Sequence, residues 1–188
     1  MLKFAILGYL NYKSMFGYEL KQAMDGSIQH FWHSKLSQIY MTLKQLESDK
    51  KLKSEVENQN DKPDRKRYTI TDLGRQELQE WLNQSLMEIP QNKDELLLKL
   101  FFSANVDMKN ILNQLYLMRK LHSKQLDVYK IETKKIILET KKNIPTLARD
   151  AVLWEATRRM GEMYETMYID WLDETIATIE KKLKRKIK

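Results

Sequence analysis

The stretch "NQNDKPDRKRYTIT", Asn58 to Thr71, changes character at its middle. Asn60-Asp61-Lys62-Pro63-Asp64 carries turn chemistry, and Pro63 has no amide proton to give to a central strand. Tyr68-Thr69-Ile70-Thr71 follows without a gap, aromatic and β-branched, with Tyr68 and Ile70 on one face and Arg67 and Thr69 on the other. Upstream, Leu52, Ser54 and Val56 alternate with Lys53, Glu55 and Glu57, the period-two pattern of a half-buried strand. The two runs predict a hairpin ribbon whose returning arm carries a basic cluster, Arg65-Lys66-Arg67.

Helices surround the ribbon. The apolar opening "MLKFAILGYL" passes into Asn11-Tyr12-Lys13 with no small-residue cleavage site, and reads as a buried first helix over Leu2 to Leu10 rather than a signal core. Ser14-Met15-Phe16-Gly17 reads as a turn, and a second helix as Gly17 to Met24, ending near Asp25-Gly26. A third helix is expected from Leu36 to about Asp49. At about 100° per residue, Leu36, Ile39, Leu43 and Leu46 fall on one side of it. The opposite side, Ser37, Gln38, Met41, Lys44, Gln45 and Ser48, is amide-bearing and basic, with no acid before Glu47. Thr71 can cap a fourth helix, Asp72 to about Leu86, with Leu78, Trp81, Leu82 and Leu86 at helical spacing.

Three helices, a ribbon and a helix make a winged helix-turn-helix, in which the third helix can enter a major groove while the ribbon lies against the backbone. Arg65, Lys66 and Arg67 would then sit where phosphates are. Charge alone leaves a second reading open: Glu55 and Glu57 can pair across the ribbon with Arg67 and Arg65, as surface ion pairs worth little.

Composition agrees with a mainly α protein. Five Gly and three Pro in 188 residues leave few breaks. With no cysteine, disulfides and thiolate chemistry are excluded, which fits a cytoplasmic protein. No segment has the apolar length of a membrane span. Net charge is +7, of which residues 1–86 hold +2 and residues 87–188 hold +5. Bulk charge therefore argues only weakly for nucleic acid. The terminal "KKLKRKIK", Lys181 to Lys188, reads as a solvated helix end.

Four linked motifs, "ILGYL" (Ile6–Leu10), "FGYELK" (Phe16–Lys21), "SQIYMTLKQLESDKKL" (Ser37–Leu52) and "DKPDRKRYTITDLGRQEL" (Asp61–Leu78), together resemble the PadR family of bacterial transcriptional regulators. The resemblance implies a winged-helix DNA-binding domain over residues 1–88, a homodimer built through C-terminal helices over residues 93–188, and repression of a nearby promoter. By motif position it implies DNA contacts from Tyr18, Ser37, Gln38, Tyr40, Thr42, Lys44, Lys62, Arg65, Lys66 and Arg67. The family pattern commonly has His before "GYEL" and Pro after "QIY", where this chain has Phe16 and Met41. Met41 lies at the centre of the outward face, which makes it a candidate to read a thymine methyl.

The second half contains "DELLLKLFFS" and two long helical stretches, Asp107 to Lys142 and Thr146 to Lys184, separated by Pro145. Its extent resembles the virulence-activator-like branch of the same family. The first helix carries Ile111, Leu115, Met118, His122, Leu126, Tyr129 and Ile136 in a stripe. The second carries Leu153, Met160, Tyr164, Met167, Trp171, Ile176, Ile179 and Leu183. Stripes this long call for a second chain, so Leu115, Met118, Leu126, Tyr129, Leu153, Met160, Tyr164, Met167, Trp171 and Ile176 are the expected dimerisation residues.

Trp154, Tyr164, Tyr168 and Trp171 put aromatic surface near methionines, which could admit a small aromatic effector, with Trp32, Phe101 and Phe102 offering another place. Trp32, Trp154, Tyr168 and Trp171 are therefore the candidate effector residues. Asp25, His30 and His33 do not form a recognised ligand set, and no metal or cofactor is expected. No phosphate loop, nucleophile-base pair or paired carboxylates argue for an enzyme. The competing class is a helical adaptor that uses the winged domain to bind protein.

Overall fold

A computed structural model describes residues 1–28, 31–57, 65–90 and 93–186, with side chains through Lys184. The chain divides into two compact units, Met1–Pro90 and Gln91–Lys188.

The first unit is the winged helix-turn-helix. Its elements are α1 (Leu2–Tyr12), β1 (Met15–Phe16), α2 (Gly17–Ser27), α3 (Leu36–Ser48), β2 (Leu52–Glu57), β3 (Arg65–Ile70) and α4 (Asp72–Leu82). Ile6, Leu7 and Leu10 of α1, Leu20 and Met24 of α2, and Ile39, Leu43 and Leu46 of α3 form a core almost closed to solvent. Leu52, Tyr68, Ile70 and Leu78 complete it from the ribbon and α4. Burying each of the large aliphatic side chains contributes about 1.5–3 kcal/mol. The Thr71 hydroxyl caps α4 by accepting from the Gly74 amide at 3.2 Å, and itself donates to the Lys50 carbonyl at 2.8 Å.

Several boundaries depart from the sequence reading. Ser14 to Gly17 is more than a turn, because Met15 and Phe16 add a third strand. The sheet order is β1-β3-β2, with Met15 opposite Tyr68 and Phe16 opposite Arg67. Helix α2 runs through Asp25-Gly26 to Ser27, supported by the Lys21–Asp25 ion pair and by the Ser27 hydroxyl donating to the Ala23 carbonyl at 2.6 Å. Helix α4 stops four residues short of Leu86, where Asn83 closes it with a side-chain bond to the Gln79 carbonyl at 2.9 Å. Along β2 the alternation fades toward the tip, and Val56 is exposed.

The second unit contains α5 (Glu95–Phe101), a 3-10 turn (Ser103–Asn105) and α6 (Met108–Asp127). A π-helical segment (Val128–Thr133), α7 (Lys134–Asn143), a second 3-10 turn (Pro145–Leu147) and α8 (Ala148–Lys186) follow. The π segment lies inside what the sequence presents as one helix, and the wider turn moves the inward stripe by one residue: Ile137 is buried and Ile136 exposed. Opposite the widened turn, α8 places Gly161, where an added Cβ would come within 2.5 Å of the Tyr129 ring. Arg158, only 3% exposed, donates to the Tyr129 carbonyl at 3.1 Å and pairs with Glu155 and Glu162, each at 2.7 Å. Burying a guanidinium is tolerated only with such partners.

Candidate nucleic-acid interface

Helix α3 buries Ile39, Leu43 and Leu46 and so turns Ser37, Gln38, Tyr40, Met41 and Lys44 to solvent; Met41 is 73% exposed. Two of these side chains are partly committed. Gln38 accepts the Lys35 amide proton through Oε1 at 3.0 Å, capping its own helix and leaving its amide NH₂ outward. The Thr42 hydroxyl donates back to the Gln38 carbonyl at 2.8 Å, and Thr42 is half-buried.

Gly17 joins this helix to the start of α2. Tyr40 packs its ring where a Cβ on Gly17 would stand, 2.5 Å from Cε1, so only glycine allows the approach. Beside them Phe16, Gly17, Tyr18, Glu19, Tyr40, Arg65, Lys66 and Tyr68 line a cavity of about 440 Å³ between the helices and the wing. The Glu19 carboxylate accepts the Phe16 amide at 2.9 Å, which fixes the first turn of α2 at the rim.

The wing's charges are partly paired. The register sets Glu55 opposite Arg67 and Glu57 opposite Arg65, as the sequence allows, but the ion pair that forms is diagonal: Arg67 Nε donates to Glu57 Oε1 at 2.7 Å. That carboxylate raises the Arg67 pKa above its ordinary value. The Arg67 guanidinium also lies 4.1 Å from the Phe16 ring centroid, and that of Arg65 lies 5.8 Å from it. Lys66, on the other face of the strand, is 3.5 Å from Glu47 of α3. Thus Arg67 and Lys66 have acidic partners, whereas Arg65 has none among the described residues. Burial pushes the Tyr68 hydroxyl pKa up, with Glu47 and Tyr40 adding to it. Lys62, with the turn from Asn58 to Asp64, lies outside the described residues.

Phe16 and Glu47 are the participants the sequence reading did not assign. Their signals were present: Phe16 stands immediately before "GYEL", and Glu47 is the first acid on α3.

In the second unit the expected dimerisation residues separate into groups. Leu115, Tyr129 and Ile176 belong to the unit's own interior, a correction to their expected place between chains. Met118, Leu126, Tyr164 and Trp171 are half-buried, while Leu153, Met160 and Met167 stand exposed on α8. The candidate effector residues fall in both units, and within the second unit Trp154 stands apart from Tyr168 and Trp171. Trp32 packs beside the core of the first unit. Trp154 lies fourteen residues before Tyr168 on α8, about 21 Å along the helix axis. Tyr168 and Trp171 do meet, with centroids 5.3 Å apart, and Tyr168 stacks on His122 at 4.0 Å.

His30 lies outside the described residues. Among the described residues no three His, Asp or Glu side chains converge as metal ligands, and no helix is long and apolar enough to cross a membrane.

Residues 6–80 match the transcriptional regulator PadR-like family, and residues 92–180 match the virulence activator alpha C-terminal family. The negative transcriptional regulator PadR of Bacillus subtilis is 29% identical, across 96% of this chain and 98% of its own. A probable transcriptional regulator of Mycobacterium tuberculosis is 30% identical, over 96% and 98%. The crystal structure of Bacillus subtilis PadR in complex with operator DNA has a TM-score of 0.79 at 27% identity, covering 95% of this chain and 97% of that one. The same protein in complex with p-coumaric acid has a TM-score of 0.70 at 26% identity, over 95% and 98%. The winged fold, the helical second unit and these similarities along nearly the whole chain agree, and the chain belongs to the PadR-like family of transcriptional regulators.

Proposed function

We propose that the protein is a homodimeric repressor working in the cytoplasm, reading an inverted-repeat operator with two copies of α3 and gripping the flanking backbone with its wings. The observation that carries this is the meeting of α3 and the wing: Tyr40 of α3, packed on Gly17, lines one cavity with the wing cations Arg65 and Lys66, and the same helix leaves Ser37, Gln38, Met41 and Lys44 exposed. By motif position Tyr18, Ser37, Gln38, Tyr40, Met41, Thr42, Lys44, Lys62, Arg65, Lys66 and Arg67 lie at or near DNA in this reading, and the operator complex of Bacillus subtilis PadR supports DNA as the partner.

Dimerisation is supported by α8. Val152, Leu153, Met160, Met163 and Met167 are exposed and fall within about 100° of one another around the helix. A soluble protein covers such a stripe, and a second copy under C2 symmetry is the occupant proposed; two α3 helices reading an inverted repeat would lie about 34 Å apart, one turn of DNA. A small aromatic effector belongs to the same reading, supported by the p-coumaric acid complex of the Bacillus subtilis relative and by the adjoining rings of Tyr168 and Trp171.

Fluorescence anisotropy on the protein's own promoter region, repeated across salt concentrations, tests the DNA reading. Affinity should fall steeply with salt, with a log–log slope of about −0.9 per phosphate neutralised, and an Arg65/Lys66/Arg67→Ala variant should lose it. Weak binding, equal on any DNA and indifferent to the wing change, would overturn the proposal in favour of a protein-binding adaptor.

A further inference from the structure

The outer face of the small sheet sorts its charges. Phe16, Arg67 and Glu55 stand side by side across β1, β3 and β2. Arg67 is on the central strand, its guanidinium over the Phe16 ring at 4.1 Å and its Nε on Glu57 at 2.7 Å. It is therefore held from both edges, by an aromatic face and by a carboxylate. Arg65 is one pair nearer the tip, on the same face. Strand β1 ends at Phe16, opposite Arg67, so no β1 residue faces Arg65. The residue across from it on β2, Glu57, is already bonded to Arg67.

We infer that the wing arginines divide the work: Phe16 and Arg67 form a clasp that fixes the wing against the start of α2, and Arg65 is the one that contacts DNA phosphate. This rests on the DNA-binding reading above and refines it. A cation bonded to a carboxylate brings little net charge to a phosphate, and pulling Arg67 away would leave Glu57 facing the backbone as a like charge. Arg65 can turn to a phosphate without breaking an ion pair with any described residue. The clasp reaches the recognition helix through the next residue, because Gly17 bears the Tyr40 ring. Thus the dipeptide Phe16-Gly17 sets the distance between wing and α3. Phe16 and Arg67 are positioning residues, and their value lies in ordering the wing before DNA arrives.

The test is anisotropy of the full-length protein on its operator over a salt series, with Arg65→Ala, Arg67→Ala, Phe16→Leu, Phe16→Tyr and the Phe16→Leu/Arg67→Ala double variant. Arg65→Ala should shrink the salt slope by about 0.9 for each wing of the bound dimer. Phe16→Leu should weaken binding about fivefold to seventyfold at unchanged slope, the scale of one exposed cation–π contact plus one side chain freed, and Arg67→Ala about as much, with a slope loss well below that of Arg65→Ala. The double variant should bind no worse than the weaker single one. Phe16→Tyr keeps a ring face and should stay within about twofold of the parent; it also answers for Phe16→Leu should that variant unfold. A slope loss in Arg67→Ala equal to that of Arg65→Ala overturns the division of work. Effects of Phe16→Leu and Arg67→Ala that multiply overturn the clasp. If the parent protein shows no salt-sensitive binding, the DNA reading itself fails and takes this inference with it, an outcome distinct from the other two.

Discussion

Asp94 holds two elements of the second unit together, and replacing it with Ala removes both contacts. Its Oδ1 accepts the Leu97 amide at 3.0 Å and caps α5; its Oδ2 accepts the Tyr168 hydroxyl at 2.6 Å and ties α5 to α8. Losing the cap costs about 1 kcal/mol. Tyr168 is 6% exposed, so its hydroxyl loses its partner in a nearly dry setting, for about 1–3 kcal/mol more. Asp94 itself is half-buried and water can enter its place, so the lower half of the sum, about 2–3 kcal/mol, is expected. Asp94→Asn keeps one acceptor oxygen and should cost about half as much. Urea unfolding at fixed protomer concentration measures this, and Tyr168→Phe closes the cycle, with a coupling near 1 kcal/mol expected. A loss below about 0.5 kcal/mol for Asp94→Ala, or additivity with Tyr168→Phe, would refute the reasoning. The pH dependence adds a check. Burial raises the Asp94 pKa, but the Tyr168 hydroxyl, the Leu97 and Leu96 amides and nearby His122 outweigh it and hold the folded value below the ordinary 3.8. A depressed carboxylate stabilises fully above its unfolded pKa and loses that contribution as pH falls through the folded one. The gap between parent and Asp94→Ala should therefore be constant above about pH 5 and narrow in stronger acid.

Gly161→Ala places a Cβ against the buried Tyr129 ring and should cost about 1–3 kcal/mol in thermal unfolding, partly recovered by adding Tyr129→Leu. Met41→Ala should weaken binding by about 1 kcal/mol only on operators that retain a particular thymine, read from a panel of base changes; a uniform loss would remove Met41 from readout. Lys at both Met160 and Met167 puts charge on the exposed stripe of α8 and should yield a monomer by light scattering, with at least about tenfold weaker operator binding. A variant that remains dimeric would move the interface elsewhere.

In the first unit the legible features were those with a period, an apolar run or a turn signal. Helix α1 followed from its apolar run, α2 from the turn signals at its ends, α3 and α4 from apolar spacing, the ribbon from alternation, and the Thr71 cap from its place just before α4. Strand β1 was invisible for a physical reason: two residues have no period, and they are a strand only because Tyr68 and Arg67 lie across from them. The same blindness hid Phe16, whose role depends on what β3 brings to it. The end of α4 was overshot because Leu82 and Leu86 keep helical spacing although no core remains for them to face, and both are exposed.

Helix α8 failed the wheel in a more instructive way. The inward positions recur every seven residues, Ala151, Arg158, Glu165 and Leu172, joined by Tyr168 and Ile176. A hydropathy wheel sends Arg158 and Glu165 to solvent and turns Leu153, Met160 and Met167 inward in their place, although Tyr164, Trp171, Ile176, Ile179 and Leu183 do pack as the stripe has them. The structure keeps them inside because each has its partner: Arg158 takes Glu155, Glu162 and the Tyr129 carbonyl, and Glu165, 7% exposed, takes His122. Such pairs add little net stability, because desolvation offsets most of their attraction. They are demanding about position, however. A shift of α8 along α6 and α7 by one turn would strand the Glu165 carboxylate without His122, at several kcal/mol, and would take Arg158 from the Tyr129 carbonyl, although Glu155 and Glu162 travel with it on α8. Polar seam residues can therefore fix the register that apolar ones would leave loose. Once they occupy the inner face, Leu153, Met160 and Met167 are left on the outer one, and its apolar character follows from the same arrangement.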